Sequence, residues 1–319
     1  MPQIVALLLS FLLTLATPLT AETRQVTDDL GRTVKVPAQP KRIVTTESQS
    51  LAVPLIELGI LPIGSHGMLH QGQTAALRGN RVTTGIDFDT DDIRFLGMRQ
   101  VDLEAFAALK PDLILHSVEV EAYTGITVDM LSAIAPVIAY RSFDRPPGAI
   151  HLSLADATGQ TAEPSRLSTR LEAQMAQLKK LSNPENTRVS VFLPEDGQIF
   201  AEHTWGTLGY ILREAGFAFA PIIDAIPEGE SRLFSAENLP EFDADWFFLT
   251  YRNDAGQRPA DTVAQMERVF PGWCDLLRDC REGRVLFLPR DEAASSSYGS
   301  AMAMIYAILP ALSDPLRQP

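Results

Sequence analysis

Apolar and polar positions along this chain alternate between two rhythms. Unbroken apolar runs of four or five residues give way to longer stretches in which apolar positions recur every three or four. That alternation marks an α/β architecture, in which strands buried on both faces are almost wholly apolar and the covering helices are amphipathic. Strands are expected at Arg42–Thr46, Asp112–Leu115, Pro136–Tyr140, Val189–Leu193, Trp246–Thr250 and Arg284–Leu288, and Leu61–Gly64 opens another. Helices are expected over Ser50–Leu58, closed by Gly59, and near Thr207–Ala215, Val263–Val269 and Ser300–Leu309. From about Ala149 to Leu181 the chain is poor in strand formers and rich in Ala, Leu, Gln, Glu and Lys. This stretch predicts one long connecting helix, with Gly159 and Pro164 as candidate breaks. The expected organisation is an N-terminal α/β lobe at 22–148, a helical spacer at 149–183 and a C-terminal α/β lobe at 184–319, with 1–21 ahead of them.

The two lobes share a local pattern. Val101–Leu115 and Phe234–Leu249 each pass from an acidic residue in a short amphipathic turn, Glu104 or Glu237, to a continuous apolar strand. A negative charge at a helix start meets the positive end of the helix dipole, so both glutamates fit an ordinary first-turn role. They equally fit an acidic knob on each lobe, and the local pattern does not separate the two.

Composition narrows the function classes. With 319 residues and 45% apolar content the chain can bury an ample core. A net charge of −13 argues against a nucleic-acid partner, whose phosphates need a basic face, and against docking to anionic lipid. The first 21 residues carry no charge, and Ile4–Leu15 is almost unbroken apolar sequence, too short at about a dozen residues to span a bilayer comfortably. The segment reads as a secretory signal ending at Leu19-Thr20-Ala21, against the alternative of an uncleaved anchor. It departs from the usual pattern in having no Lys or Arg after Met1. No cysteine lies near the cleavage point, so a soluble periplasmic protein is expected rather than a lipid-anchored one.

Cys274 and Cys280 are the only cysteines. In such a compartment they can pair, but a regular helix would hold their Cα atoms about 9 Å apart, beyond the roughly 7 Å a disulfide tolerates. Pairing therefore requires the helix to begin after Cys274, and both states stay open. Two cysteines without His or Cys neighbours at ligand spacing make no metal site, and the histidines at 66, 70, 116, 151 and 203 form no evident ligand set. No nucleophile elbow, dinucleotide fingerprint, P-loop or His-Glu-x-x-His occurs. A secreted α/β hydrolase using Glu202 and His203 as acid and base is the competing enzyme reading; a direct transition-metal receptor is the competing binding one.

Three stretches carry a resemblance: Val26-Thr27-Asp28-Asp29-Leu30-Gly31-Arg32-Thr33-Val34, then Pro40-Lys41-Arg42-Ile43-Val44, then Leu103-Glu104 through Lys110-Pro111-Asp112-Leu113-Ile114. In order and spacing they resemble the periplasmic binding proteins of iron-complex ABC importers. Leu96-Gly97-Met98-Arg99-Gln100 and Ser297-Tyr298-Gly299-Ser300-Ala301 resemble the hydroxamate-siderophore-binding branch. The resemblance implies two α/β lobes joined by a single long helix with a ligand cleft between them. It also implies a ferric siderophore as ligand, no catalysis, no resident cofactor, and a permease dimer in the inner membrane that is met by Glu104 and Glu237. A monomer is expected, and haem or cobalamin is the alternative cargo within the same family.

By the same resemblance Arg99 contacts iron-bound oxygens, a role its guanidinium fork suits, and Tyr298 packs against the bound complex. The bland alternatives are a surface arginine and an ordinary tyrosine before the last helix. Where the hydroxamate-binding relatives carry tryptophans, this chain has Arg232 and Ser295-Ser296-Ser297, which implies a more polar cleft. Trp205 is a candidate replacement wall. Arg141, Tyr251 and Arg252 follow expected strand ends, where open α/β sheets leave crevices, and are candidate donors to a carboxylate-rich ligand. His66, His70, Met68 and Tyr123 are placed where they can approach the cleft.

Overall fold

The computed structural model describes residues 22–70, 74–100, 102–143, 145–160 and 162–314. The expected leader at 1–21 lies outside them, as does the side chain of His70. Five parallel strands form one sheet, in the order Arg94–Phe95, Gly64–Ser65, Ile43–Thr45, Leu113–Ser117, Val137–Tyr140. Its strands are continuous apolar runs because both faces are covered. Ile43, Leu113, Leu115 and Ile138 pack on one side with Leu51, Leu55, Ile150 and Leu154. Their neighbours Val44, Ile114 and Val137 pack on the other with Leu96, Phe106 and Leu131.

The second sheet runs Ser231–Phe234, Gln198–Glu202, Arg188–Glu195, Trp246–Tyr251, Val285–Pro289, with Ala218–Phe219 also pairing Arg188–Glu195. Its parallel strands Arg188–Glu195, Trp246–Tyr251 and Val285–Pro289 match the expected strands to within two residues, whereas the short parallel strand Ala218–Phe219 was not expected. Its antiparallel half was not anticipated, although the signal is present. Asp196-Gly197 is a two-residue turn with both residues at positive φ, 49° and 79°, which is how tight hairpins close. Trp246, Phe247 and Phe248 are fully buried in this lobe.

The connecting segment breaks at one of its two candidate positions. Gly159, at φ +75°, closes a helix over Ala149–Thr158, and a second helix spans Ala162–Leu181. Pro164 falls in the first turn of the second helix, where the missing N–H costs nothing. The first helix belongs to the core of the N-terminal lobe through Ile150, Leu154 and Ala157. The second packs on the other lobe through Leu171, Met175 and Leu178.

The final helix, Tyr298–Leu312, ties the lobes together. It lies against Ala162–Leu181 and also against Val53–Glu57 of the N-terminal lobe. The Glu57 carboxylate, almost wholly buried, accepts from Tyr298 N (3.0 Å), Gly299 N (2.7 Å) and His151 Nε2 (2.6 Å). Cys274 and Cys280 are disulfide-bonded. The helical turn Trp273–Leu276 stops at Leu277, which is extended (φ −105°, ψ 108°), before a second turn over Arg278–Arg281. That break brings the two Cα atoms to 5.3 Å.

Candidate functional site

The C-terminal ends of the parallel strands in both lobes face a groove, and charged side chains come to it from both banks. On the N-terminal bank, Ile43–Thr45 leads into Glu47, a buried carboxylate that accepts from Gln49 N (2.9 Å) and from Ser50 N. Burial pushes its pKa up. Tyr123 is 47% exposed, and its phenol is pushed up by burial and then by Glu47, with Arg78, Glu119 and Arg99 also within electrostatic reach. Arg99 is exposed and, among the described residues, has no hydrogen-bond or ion-pair partner. Met68 is half-buried on the Met68–His70 strand, which packs near Asn253–Ala255 of the other lobe.

The C-terminal bank holds a cavity of about 480 Å³ lined by Glu195, Thr250, Arg252, Gln257, Arg268 and Arg290, among others. Arg252 reaches Asp254 Oδ2 at 2.7 Å, so its fork is partly committed within its own lobe. Arg290 is half-buried with no acceptor among the described residues, and its guanidinium stands 5.9 Å above the Phe200 ring. Burial, and then the like charge of Arg78, hold its pKa below the usual guanidinium range. Glu292 is pushed up by burial and accepts from Asn253 Nδ2 (3.0 Å); Tyr251 is pushed up by burial and by Glu292.

The banks touch at one corner. Arg78 Nε donates to Asp291 Oδ1 (2.7 Å), and Gln49 Nε2 donates to the Asp291 carbonyl (2.9 Å). Gly79, at φ +72°, lets the backbone approach: a Cβ there would stand 3.3 Å from the same carbonyl oxygen.

Of the expected ligand residues, Tyr123 and Arg99 share the N-terminal bank, and Arg252 lines the cavity of the C-terminal bank. Tyr251 is half-buried at the end of its strand. Arg141 is exposed at the end of Val137–Tyr140, its N–H donating to Asp29 Oδ2 (2.8 Å).

Trp205 and Tyr298 lie elsewhere than expected. The indole is 2% exposed and packs on Phe200 at 5.7 Å within the core of its lobe. Tyr298 is 4% exposed, its ring 4.4 Å from His151 across the lobe joint. Each buried itself because apolar ring area gains more from the core than from a wet groove. Ser295, Ser296 and Ser297 are likewise buried; Ser297 Oγ caps the last helix by accepting from Ser300 N (3.0 Å).

His203 donates through Nδ1 to the Ile226 carbonyl (2.7 Å), which fixes the tautomer and the orientation of the ring. Arg78, Arg290 and Glu57 were not singled out by sequence reasoning. Arg290 follows a strand end, the signal that selected Arg252, whereas Arg78 and Glu57 are defined by partners far away in sequence.

Glu104 and Glu237 are both exposed, in the first turns of Leu103–Ala108 and Ala236–Phe242. Each sits two residues before a fully buried anchor, Phe106 or Leu239. Asp102 caps the first of these turns, accepting from Glu104 N (2.9 Å) and Ala105 N (3.3 Å). The Glu104 side chain is therefore not needed to satisfy the helix start. Neither glutamate has a side-chain partner among the described residues.

Chemically the groove offers guanidinium and phenol donors to anionic oxygens. Among the described residues no group of three or more His, Cys, Asp or Glu is placed to hold a metal ion, and no helix is long and apolar enough to cross a membrane.

Residues 68–273 match the family described as periplasmic binding protein. The chain is 29% identical over 256 residues, 73% of its own length and 71% of the relative's, to the probable siderophore-binding lipoprotein YfiY of Bacillus subtilis. Among solved structures it resembles Staphylococcus aureus SirA complexed with staphyloferrin B, with a TM-score of 0.72 at 20% identity, covering 90% of this chain and 97% of that one. It also resembles the petrobactin-binding protein YclQ of Bacillus subtilis, with a TM-score of 0.70 at 21% identity, covering 92% of this chain and 99% of that one.

Proposed function

We propose, since this chain belongs to the periplasmic binding protein family, that it captures a ferric siderophore as an intact complex in the groove between its lobes and delivers it to an ABC-type permease. The observation that carries this reading is the convergence of Arg99, Arg78 and Tyr123 on one bank with Arg252 and Arg290 on the other. Fork-shaped cations and phenols suit the oxygens of a metal chelate, whereas bare ferric ion would need carboxylate or imidazole ligands brought together. The siderophore-binding name of the Bacillus relative supports the same cargo. In this reading no protein side chain coordinates iron and no bond is made or broken in the ligand.

The lobes are assigned to 22–148 and 184–319, with 149–183 between them. Residues 1–21 direct the chain to the periplasm. Glu104 and Glu237 are the contacts to the two halves of the permease: surface ion pairs add little to stability, so exposed, unpartnered carboxylates at equivalent helix starts are better used for docking and orientation. Calorimetric titration with a panel of ferric siderophores tests the reading. Saturable one-to-one binding of at least one ferric chelate is expected, and heat-inert titrations throughout would overturn it.

A further inference from the structure

Arg290 is a half-buried cation in the groove that has no acceptor among the described residues. It follows the Val285–Pro289 strand into the groove, stands over Phe200, and has no carboxylate within ion-pair distance among the described residues. Arg78 approaches from the opposite lobe, so the dominant charged neighbour of Arg290 is a second guanidinium; burial first and that like charge second depress its pKa. Asp291 already engages Arg78, and Asp254 already engages Arg252. Glu195 and Glu202 also act on Arg290 through their charge, after Arg78. Arg252 and Arg268 line the same cavity of about 480 Å³, giving three guanidinium groups there against the two carboxylates of Glu195 and Asp196. A half-buried cation without an acceptor is costly, and a ligand that covered it without bringing charge would raise that cost.

We infer that Arg290 is the anchor for an anionic oxygen group of the bound chelate, so that the cargo is a ferric chelate of net negative charge rather than an electroneutral one. The inference rests on the siderophore-binding reading above. An anionic arm entering the cavity meets Arg290 with a bidentate fork and lies between it and Arg78, converting repulsion between the lobes into a shared contact. A neutral chelate gains none of this and must desolvate Arg290 unpaired, which is how the site discriminates.

The test is a calorimetric titration of the intact protein with ferric citrate, a ferric tricatecholate and an electroneutral ferric trihydroxamate. At least one anionic chelate is expected to bind about tenfold or more tightly than the neutral one. That preference should shrink as salt rises from about 50 to about 500 mM. Citrate ahead of the tricatecholate identifies a carboxylate partner for Arg290, and the reverse order a catecholate one. Arg290→Gln should lower affinity for the preferred anionic chelate about tenfold while changing the neutral one less than about threefold, and Arg290→Lys should recover part of the loss.

Equal or tighter binding of the neutral trihydroxamate by the wild type would overturn the inference and leave the siderophore reading standing. So would an equal loss for every chelate in an Arg290→Gln protein of unchanged melting temperature. Failure of the wild type to bind any ferric chelate would remove the siderophore reading and this inference with it.

Discussion

Glu57 sits at the end of a short helix where its neighbours are apolar, so the sequence around it reads as an ordinary polar position facing solvent. Its role appears only through Tyr298 and Gly299, some 240 residues on, whose N–H groups it accepts together with His151 Nε2. Replacing it by Ala strands two amides and a buried ring nitrogen. A loss of about 3 kcal/mol in unfolding free energy is expected, measured by urea titration. His66 gives a pH signature. Its ring is buried, Nε2 has no partner, and burial lowers its pKa to about 4, against a hydrogen bond with Met98 that raises it. The unfolded chain binds a proton on this ring below about pH 6.5 and the folded protein does so only near pH 4. The stability this neutral ring confers is therefore present at pH 7 and lost as pH falls across that window, by up to about 3 kcal/mol. His66→Gln should flatten that part of the stability profile, and an identical profile in the variant would contradict the assignment. In the groove, Arg99→Ala should weaken chelate binding by about 1–3 kcal/mol, read by calorimetry. The expectation at Arg99 came from a surrounding motif that resembles a family pattern. Trp205 was misjudged because a tryptophan after a polar tetrapeptide gives no hint of which face its helix start will bury.

Among the elements, the parallel strands were the most readable because burial on both faces forces nearly unbroken apolar runs, as in Leu113–Ser117 and Trp246–Tyr251. The antiparallel strands were obscure because Gln198–Glu202 alternates buried and half-buried positions and Ser231–Phe234 is largely exposed, so neither has an apolar run to betray it. The Asp196-Gly197 turn was the available clue. The segment at 273–283 shows why the disulfide stayed open. Pairing depended on a helix break, and Leu277 is a residue that helices ordinarily accept, so nothing local announced the extended conformation there. The bridge closes a loop of sequence separation 6, for which chain entropy gives about 2 kcal/mol of stabilisation. Exchanging both cysteines for serine should lower the urea unfolding free energy by about that amount while leaving chelate affinity in place, since the bridge lines no part of the groove cavity.

For the whole molecule, the two-lobed plan was legible from the repeat around Glu104 and Glu237, whereas the joint between the lobes was not. That joint is made by Glu57, Arg78 and the last helix, contacts that no periodicity encodes. The docking reading predicts a separation of phenotypes. Glu104→Ala with Glu237→Ala should leave melting temperature and chelate affinity unchanged and nearly abolish uptake of radiolabelled ferric chelate by cells. Each single change should impair uptake partially, because two weak contacts act together through effective concentration. Normal uptake by the double variant would return both residues to a helix-start role. The central claim, capture of an intact chelate by the groove, is tested most directly by titrating the purified protein in a calorimeter with one ferric siderophore, the same siderophore without iron, and ferric ion presented by a weak buffer chelator. The account predicts saturable one-to-one binding of the ferric siderophore and none of the bare ion; binding of bare ferric ion as tightly as the chelate would contradict it.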